Sequence, residues 1–443
     1  MAETITALAT APGIGGIAVI RVSGEDAFEI VDKSFRGSVK IADAHANTIH
    51  FGRFFDEEKL IDTVTVAVFH APRSYTGEDV AEISCHGGNI VSDQILKVLM
   101  KNGARLATSG EYTQRAYING KLDLAQVEAV ADLIHAQAEQ GALTAARQLN
   151  GEFTKRLEEF RSQLIDISSL LELEMDFADE DLEFVERQKI VKKIEDAADY
   201  CRELADSFEA AEILRSGYFV GIAGYPNSGK STLFNSLLNR KRAIVSDIPG
   251  TTRDYLEENL MIKGISVRLI DTAGLRETSD TIEIEGIRLV RSILEQSNMI
   301  IVLNDASISK ENSDLLYNAL KEEYKSSEVV LLQNKIDLVD RMDDGISAKY
   351  DDGIENLKEM IYSRAKNSTE RVKDILINHR HAKLLERAAS ELDNAKNALS
   401  EGMENELVSI DIRSAVKILG EIAGSNFSEE VLNSIFSRFC IGK

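Results

Sequence analysis

The sequence contains no tryptophan, only four prolines and only three cysteines in 443 residues. The cysteines (Cys85, Cys201 and Cys440) are odd in number and lie far apart, which excludes a disulfide framework and is typical of a reducing compartment. Positive charge is also scarce, because 51 Lys and Arg residues stand against 74 Asp and Glu residues and give a formal charge of −23. A protein this acidic does not grip a phosphate backbone over most of its surface. Any role in nucleic-acid binding is therefore expected to be local or to belong to a partner.

Long hydrophobic runs are missing as well, since no apolar segment approaches the roughly 20 residues that span a bilayer. The apolar N-terminal stretch is interrupted by Pro12, Gly13, Gly15 and Gly16 and follows no charged region, so it is not expected to be a signal peptide. Hydrophobic residues make up 44% and charged residues 28% of the chain, a globular composition. We expect a soluble, cytoplasmic protein of two or three domains.

Residues 1–118 are dominated by turn signals and β-branched runs, which predicts a small α+β domain. Strands are predicted at Gly16–Val22, Thr63–Phe69 and Val80–Ser84, and a helix at Asn89–Lys101.

Residues 119–215 predict long helices, because apolar residues recur at alternating steps of three and four over Phe153–Leu171 and Ile190–Phe208. We expect these two helices to pack on each other, with Cys201 in the core. Between them lies an acidic turn at Asp176–Glu183, interpreted as a solvated cap.

Residues 216–376 alternate short β-branched strands with helical stretches, the rhythm of a doubly wound α/β domain. The strands are predicted at Phe219–Ala223, Val267–Ile270, Met299–Leu303 and Val329–Gln333. Helical pattern resumes over residues 377–443, with Leu432, Phe436 and Phe439 on one face. The α/β domain is therefore predicted to be inserted into a helical domain.

The strongest motif is the segment from Gly224 to Ser231, which fits G-x-x-x-x-G-K-[ST] between a predicted strand and a helical run starting at Thr232. Its backbone N–H groups would surround the phosphates of a nucleotide. Lys230 would reach the β and γ phosphates, and the Ser231 hydroxyl would ligate Mg²⁺. The predicted contacts in this loop are Asn227, Ser228, Gly229, Lys230, Ser231 and Thr232.

Two further motifs follow predicted strands and indicate guanine specificity. In the first (Asp271, Thr272, Ala273 and Gly274) the aspartate would hold Mg²⁺ through water. The second runs from Asn334 through Lys335 to Asp337, whose carboxylate can accept hydrogen bonds from guanine N1 and N2, a donor pair that adenine lacks. Ser347, Ala348 and Lys349 follow at a distance that would flank the base. The order of these motifs resembles that of the translation-factor-like GTPases.

The residue after Gly274 is Leu275, whereas Ras-like enzymes use a glutamine there to orient the attacking water. The residues alone leave open which acid within residues 276–285 takes that role. Asn227 is a candidate ligand for a monovalent cation that would neutralise charge in the transition state. The alternative is an ordinary turn residue, since turns favour asparagine.

Over its full length the chain resembles the MnmE (TrmE) family of tRNA-modifying GTPases within the TrmE-Era-like GTPases. The resemblance rests on motifs in the right order: residues 11–16 (APGIGG) with 18–24 (AVIRVSG), 75–79 (YTGED) with 85–88 (CHGG), 110–113 (GEYT) with 120–124 (GKLDL), 249–254 (PGTTRD) and the final 440–443 (CIGK).

The resemblance implies an enzyme that modifies C5 of the wobble uridine of certain tRNAs by adding a carboxymethylaminomethyl-type group. It implies a FAD-dependent partner, MnmG, in a heterotetrameric or larger complex. That partner is expected to make most of the binding contacts with tRNA. The first domain would bind a folate one-carbon donor, 5-formyl- or 5,10-methylene-tetrahydrofolate, and would form the homodimer. The implied folate contacts are Arg21, Glu82, Lys121 and Lys443, each of which could instead be an ordinary surface residue.

The resemblance also implies a potassium-dependent G domain. Its nucleotide loop would comprise Ser246, Asp247, Ile248, Pro249, Gly250, Thr251 and Thr252. Potassium would be held by Asn227, Ser246, Ile248 and Thr251, and Thr252 would join Ser231 on Mg²⁺. Glu283 would orient the attacking water. Cys440 is a possible catalytic thiol, although a thiol on an apolar helical face is more often packed in the core.

A different class of function stays open at this point. The chain could be a regulatory or ribosome-associated GTPase that acts as a binding switch without chemistry of its own. Such a switch would need neither a folate pocket nor the C-x-G-K ending, so the motifs outside the G domain favour the tRNA-modifying enzyme.

Overall fold

The computed structural model describes residues 3–176, 187–238, 256–271, 291, 293–339, 345–370, 372, 375–424, 432, 435–437, 439 and 441–442. The chain forms two compact units. The first comprises Met1–Ala131, Gln148–Cys201 and Leu384–Lys443, and the second comprises Asp132–Arg147 and Arg202–Lys383.

The first unit contains a seven-stranded sheet with the strand order β3-β4-β5-β6-β2-β1-β7. Its strands are β1 (Ile5–Leu8), β2 (Ile17–Ser23), β3 (Phe35–Gly37), β4 (Thr48–Asp56), β5 (Lys59–Phe69), β6 (Val80–His86) and β7 (Arg105–Leu106). The three predicted strands are confirmed as parts of β2, β5 and β6, each of which extends beyond the predicted range by at least one residue.

Helix α1 (Ala27–Asp32) follows β2. Helix α2 (Asn89–Lys101) follows β6 and has the predicted bounds. Their apolar residues share one core with alternate residues of the strands, including Ile20 and Ile83, which are fully buried. The intervening residues of the strands lie on the other face of the sheet. Over β4 that second face is open, since Ile49 is 72% exposed and Phe51 is 70% exposed, whereas at β1 it is covered, because Ile5 and Ala7 pack against Tyr112.

The remaining helices of the chain are α3 (Glu111–Ile118), α4 (Leu124–His135), α5 (Glu139–Leu149), α6 (Glu152–Asp176), α7 (Arg187–Asp206), α8 (Phe208–Ser216), α9 (Lys230–Leu237), α10 (Glu311–Glu323), α11 (Ile354–Thr369), α12 (His379–Ser400) and α13 (Asn405–Ala423). Among the helices of the described residues, none is both long and apolar enough to cross a membrane.

The long helices α6 and α7 confirm the predicted heptad-like stripes, and Cys201 is buried as expected. The two helices contact each other through the rings of Phe160 and Tyr200, whose centroids are 4.9 Å apart. The most extensive packing of α6, however, is along α13. The stripe on α7 was also predicted to run on to Phe208, and that is wrong. The helix ends at Asp206 because Ser207 bonds back to the Leu204 carbonyl through both its hydroxyl and its N–H.

The last helical turns of the chain pack on α4. Phe436 and Phe439 are each 4% exposed and share a core cluster with Leu124, Val127 and Val130, and Leu432 packs against it. This confirms the apolar face predicted for these residues. The acidic turn predicted after Asp176 lies outside the described residues.

The second unit contains a five-stranded sheet with the order β12-β11-β8-β10-β9. Its strands are β8 (Tyr218–Gly224), β9 (Leu256–Ile262), β10 (Ile265–Asp271), β11 (Met299–Asp305) and β12 (Glu328–Asn334). The strands pair in parallel except for β9, which is antiparallel to β10. Ile301 and Leu303 belong to a core on one face, whereas Ile300 and Val302 belong to a core on the other. Both faces are therefore covered, and the doubly wound fold is confirmed.

Candidate nucleotide-binding site

The phosphate loop connects the carboxyl end of β8 to α9. In a parallel sheet this edge is where ligands bind. The loop needs three residues with positive φ, namely Gly224 at +147°, Asn227 at +64° and Gly229 at +98°. Asparagine is the residue that tolerates this conformation best after glycine, so the loop geometry alone accounts for an Asn at position 227.

The two glycines are also required for space. A Cβ atom on Gly224 would lie 2.6 Å from the Leu303 carbonyl oxygen. A Cβ atom on Gly229 would collide with the side-chain amide of Asn334. The loop backbone therefore lies directly against β11 and against the motif that follows β12.

Helix α9 begins at Lys230, two residues before the predicted start, because Gly229 in the left-handed conformation caps it. No side chain caps this N-terminus. The first intrahelical bond runs from the Leu233 N–H to the Gly229 carbonyl, so Ser231 and Thr232 lie at a helix N-terminus, where an anion is favoured. The Ser231 hydroxyl lies on this first turn, where it fits a Mg²⁺ ion bound to phosphates.

Lys230 is held inside the loop, where its ammonium donates to the carbonyls of Gly224 and Tyr225 at 3.0 Å each. The Ser228 hydroxyl is buried and has no hydrogen-bond partner among the described residues. A buried hydroxyl without a partner costs free energy, so its presence in a phosphate-binding loop fits a bound polar ligand.

Asn334 joins three parts of the site. Its amide nitrogen donates to the Ser228 carbonyl at 2.9 Å, and its amide oxygen accepts from the Ala348 N–H at 3.0 Å. The side chain is buried. One residue therefore fixes the phosphate loop and the segment at Ser347–Lys349 relative to each other.

Asp337 and Ser347, both predicted to recognise the base, are in contact. The Ser347 hydroxyl, which is buried, donates to one carboxylate oxygen of the exposed Asp337 at 2.5 Å. The other carboxylate oxygen accepts no hydrogen bond from the described residues. Because a carboxylate oxygen can accept more than one hydrogen bond, this fixed carboxylate can still accept from both the N1 and N2 donors of guanine.

Sequence analysis missed Asp305, at the carboxyl end of β11. Its carboxylate lies 2.6 Å from the Lys335 ammonium and also accepts from the Ser307 hydroxyl at 2.7 Å. Although burial opposes the charge, the hydrogen bonds from Lys335 and Ser307 hold the pKa of Asp305 below its ordinary value. The only signal in the sequence is an acid directly after a buried apolar strand.

A second group of predicted residues lies on the open face of the N-terminal sheet. Arg21 of β2 and Glu82 of β6 are direct cross-strand partners, with Nε and Oε1 2.8 Å apart. The guanidinium also lies 5.4 Å from the ring centroids of both Tyr75 and Tyr112. The Tyr112 hydroxyl donates to the Arg21 carbonyl at 2.8 Å. The carboxylate and the two aromatic rings therefore hold the Arg21 guanidinium in one position.

The loop that carries Tyr75 is anchored by a buried ion-pair network that sequence analysis also missed. Arg115 donates to both carboxylate oxygens of Glu78, at 3.0 and 3.1 Å, and to Glu111 at 2.9 Å. The Ser23 hydroxyl donates to Glu78 as well, at 2.7 Å. These bonds tie the loop to the end of β2 and to α3.

Lys121 lies against the same loop, where its ammonium donates to the Pro72 carbonyl at 2.9 Å. The chain's end also returns to this sheet, because Ile441 forms a β-bridge with Ser109. Gly442 has φ +103°, and a Cβ there would collide with the Leu8 carbonyl, so only glycine fits this position of the tail.

Cys85 lies on β6 with its side chain in the core. Burial raises the pKa of its thiol to about 11, and the charge of Asp62 adds to this shift. A thiol of this kind is inert as a nucleophile at neutral pH.

Comparison with known proteins decides the family. Residues 4–121 match the family model described as GTP-binding protein TrmE N-terminus, and residues 124–440 match that of the MnmE helical domain. The chain belongs to the MnmE family of tRNA modification GTPases. It is 40% identical to the tRNA modification GTPase MnmE of Chlorobaculum tepidum, over 99% of this chain and 97% of the relative. It is 39% identical to the protein of the same name from Carboxydothermus hydrogenoformans, over 100% of both chains.

Among solved structures, the G domain of the T. maritima FeoB iron transporter is 30% identical and covers 33% of this chain and 98% of its own. The TM-score of that superposition is 0.25. Membership of the MnmE family therefore rests on the family models and on the full-length relatives.

Several residues predicted for the sites, from the motifs or from the family resemblance, lie outside the described residues. They are Ser246, Asp247, Ile248, Pro249, Gly250, Thr251, Thr252, Thr272, Ala273, Gly274, Glu283, Cys440 and Lys443. For Asp271 the structure gives only the backbone, at the end of β10.

Proposed function

We propose that this protein hydrolyses GTP at the site formed by the phosphate loop and the Asn334–Asp337 motif. The observation that carries the proposal is the position of Asn334, which bonds the phosphate loop and the base-recognition segment at once. A nucleotide whose phosphates lie on the N-terminus of α9 would reach Asp337 with its base.

In this proposal Lys230 moves from the loop carbonyls to the β and γ phosphates. Ser231 and Thr252 would hold Mg²⁺, which supplies charge neutralisation between the phosphates. Potassium would be held by Asn227 together with Ser246, Ile248 and Thr251. Glu283 would orient the attacking water, because the aliphatic Leu275 cannot.

The GTPase cycle would serve a modification at C5 of the wobble uridine of certain tRNAs, carried out in the cytoplasm with the FAD-dependent partner MnmG. The formal charge of −23 supports a division of labour in which MnmG supplies most of the grip on tRNA. We also propose that the segments 1–118, 119–215, 216–376 and 377–443 are the functional divisions of the chain.

The N-terminal segment would bind tetrahydrofolate and form the homodimer. Arg21, Glu82 and Lys121 are the described residues proposed to contact the folate, with Lys443 completing the set and Cys440 as a possible thiol. The adjacent exposed Ile49 and Phe51 support an apolar dimer contact on the same sheet. The paired Arg21 and Glu82, set between two tyrosines, have no use in a purely regulatory switch, which favours the enzyme.

The experiment is mass spectrometry of nucleosides from bulk tRNA of cells that lack this protein. We expect loss of C5-substituted wobble uridines, restored by the wild-type gene but not by Glu283→Ala. An unchanged nucleoside profile in the deletion strain would refute the tRNA-modification proposal. GTP hydrolysis measured in KCl against NaCl tests the potassium site separately, with a faster rate expected in KCl.

A further inference from the structure

Asp62 of β5 and His86 of β6 form a carboxylate–imidazole pair where these neighbouring strands of the N-terminal sheet meet. His86 Nδ1 lies 2.7 Å from Asp62 Oδ1. The carboxylate is only 10% exposed, whereas the imidazole is 75% exposed. Because a carboxylate only accepts hydrogen bonds, Nδ1 is the donor in this pair, and Nε2 is then the acceptor nitrogen of the neutral ring.

Two backbone N–H groups fix the position of the Asp62 carboxylate. Asp62 Oδ2 accepts from the His86 backbone N–H at 2.8 Å, and Oδ1 also accepts from the Thr63 N–H at 2.7 Å. Although burial opposes the charge, these hydrogen bonds hold the pKa of Asp62 below its ordinary value. Asp62 therefore stays ionised and can stabilise an imidazolium on its neighbour.

His86 lies on the same strand as Glu82 and four residues further along. Side chains at this spacing lie on the same face of a sheet, about 13 Å apart. In the register between β2 and β6, Arg21 lies opposite Glu82, and Ile17 lies opposite His86. An elongated ligand bound at Arg21 and Glu82 can therefore extend along the strand to His86.

A cavity lies at the end of these strands, on the side of the sheet that α2 covers. Ile17, opposite His86, and Gly87, the next residue along the chain, both line this cavity, which has a volume of about 210 Å³. Its remaining walls are formed chiefly by the glycine-rich loop at residues 11–15 and by the start of α2.

We propose that His86 Nε2 is the general base that activates a nitrogen nucleophile for attack on the one-carbon unit of folate, with Asp62 as its positioning residue. The inference rests on the proposed folate function of this face. The nucleophile is ammonium or the ammonium group of a small amine, and the donor is 5,10-methylene-tetrahydrofolate.

The step balances without an oxidant or a reductant. The ammonium gives one proton to Nε2, and its freed electron pair forms a bond to the methylene carbon. The bond between that carbon and N10 breaks, and its electron pair stays on N10. N10 takes up a proton that the attacking nitrogen loses on bond formation. The imidazolium, stabilised by Asp62, returns its proton to water through its exposed edge.

The test uses the full chain in complex with its FAD-dependent partner and a substrate tRNA. His86→Gln and Asp62→Asn are compared with the control His50→Gln, because His50 lies on the same sheet and its side chain bonds only Thr48 among the described residues. Three quantities are measured for each protein: the dissociation constant of 5-formyl-tetrahydrofolate, the GTPase rate, and kcat of tRNA modification at saturating amine.

We expect kcat of modification to fall about 100-fold in both pair variants, the usual contribution of a general base, with the folate dissociation constant within about twofold of wild type. The GTPase rate and the His50 variant stay unchanged. Added imidazole partly restores kcat of His86→Ala, which a structural role for the ring would not produce.

Two results would overturn the inference while leaving the folate proposal intact. One is a wild-type kcat in His86→Gln, and the other is a loss of folate affinity with kcat preserved. Failure of the wild-type protein to bind 5-formyl-tetrahydrofolate is a different result, which refutes the folate function and the role of His86 together.

Discussion

Asp305 holds the ammonium of Lys335 at 2.6 Å, between the ends of β11 and β12. Lys335 itself has φ +63°, so its backbone is as constrained as its side chain. The ion pair therefore fixes where the stem of Lys335 runs within the Asn334–Asp337 motif. The pair lies immediately next to Asn334, so the base site and the phosphate loop share one rigid edge.

Replacing Asp305 with Asn is expected to weaken binding of GDP and GTP equally, by about 10-fold, because a charge-assisted hydrogen bond contributes about 1.5 kcal/mol. Isothermal titration calorimetry with both nucleotides measures the effect. In the Lys335→Met background the Asp305 substitution should have almost no further effect. Additive effects of the two substitutions would show that Asp305 does not act through Lys335.

Gly229→Ala is expected to lower nucleotide affinity by about 100-fold or more. The added Cβ would meet the Asn334 amide and would also force an alanine to adopt φ +98°. Fluorescent-nucleotide titration measures the loss, with circular dichroism to verify the fold. Gly16→Ala is the control, because a Cβ there meets nothing within 4 Å. Wild-type affinity in Gly229→Ala would contradict the tight contact between loop and motif.

Acid should destabilise the N-terminal unit as the pH falls from about 4.5 towards 2, because Glu111 is ionised in the folded protein at pH values where ordinary carboxylates are already protonated. Glu111 is buried, which opposes its charge, but hydrogen bonds from Arg105, Thr108 and Arg115 lower its pKa to about 2. A carboxyl whose pKa is lowered by folding stabilises the protein fully at pH values above its pKa in the unfolded chain, which is near 4.5. This stabilisation is lost as the pH falls towards 2.

Glu111→Gln is therefore expected to lower stability at pH 7 by about 3 kcal/mol, since it leaves Arg115 without part of its buried partner. Urea unfolding at pH 7 and at pH 2.5 measures this difference. The gap between variant and wild type should shrink at the lower pH. A constant gap would show that Glu111 is not ionised through this network.

Alkylation should leave Cys85 and Cys201 untouched in the native protein, because both are buried and burial raises the pKa of Cys85 to about 11. Iodoacetamide treatment at pH 7.5, followed by peptide mapping, checks this. Both thiols should react fully after unfolding in guanidinium. Rapid native labelling of Cys85 would mean that the sheet opens.

Local patterns predicted those elements whose signals lie within a few residues. Helix α2 has its predicted bounds, with Gly88 before it and Gly103 shortly after it. Strand β4 was missed because Gly52 interrupts its pattern, and glycine usually weakens a strand. In the structure a Cβ on Gly52 would meet the ring of Phe35 on the neighbouring strand. That requirement comes from a pairing of distant residues, which no local window contains.

The candidate site shows the same contrast between local sequence patterns and contacts of distant residues. The phosphate loop and the Asn334–Asp337 motif have fixed spacings and could be found in the sequence. The contact of Asp305 with Lys335 depends on the register in which Asp305 opposes Asn334 across β11 and β12. The pairing of Asp62 with His86 depends likewise on how β5 lies beside β6. Contacts of this kind follow from topology, so they appear only in the folded chain.

The most direct test of the guanine site is the nucleotide preference of the full-length protein and of Asp337→Asn. Wild type should bind GDP at least about 1,000-fold more tightly than ADP, because adenine lacks the N1 and N2 donors that the Asp337 carboxylate would accept from guanine. Asp337→Asn should lose GDP affinity and gain affinity for xanthosine diphosphate, whose ring presents an acceptor where guanine has its amino group. Equal binding of ADP and GDP by the wild-type protein would contradict the account.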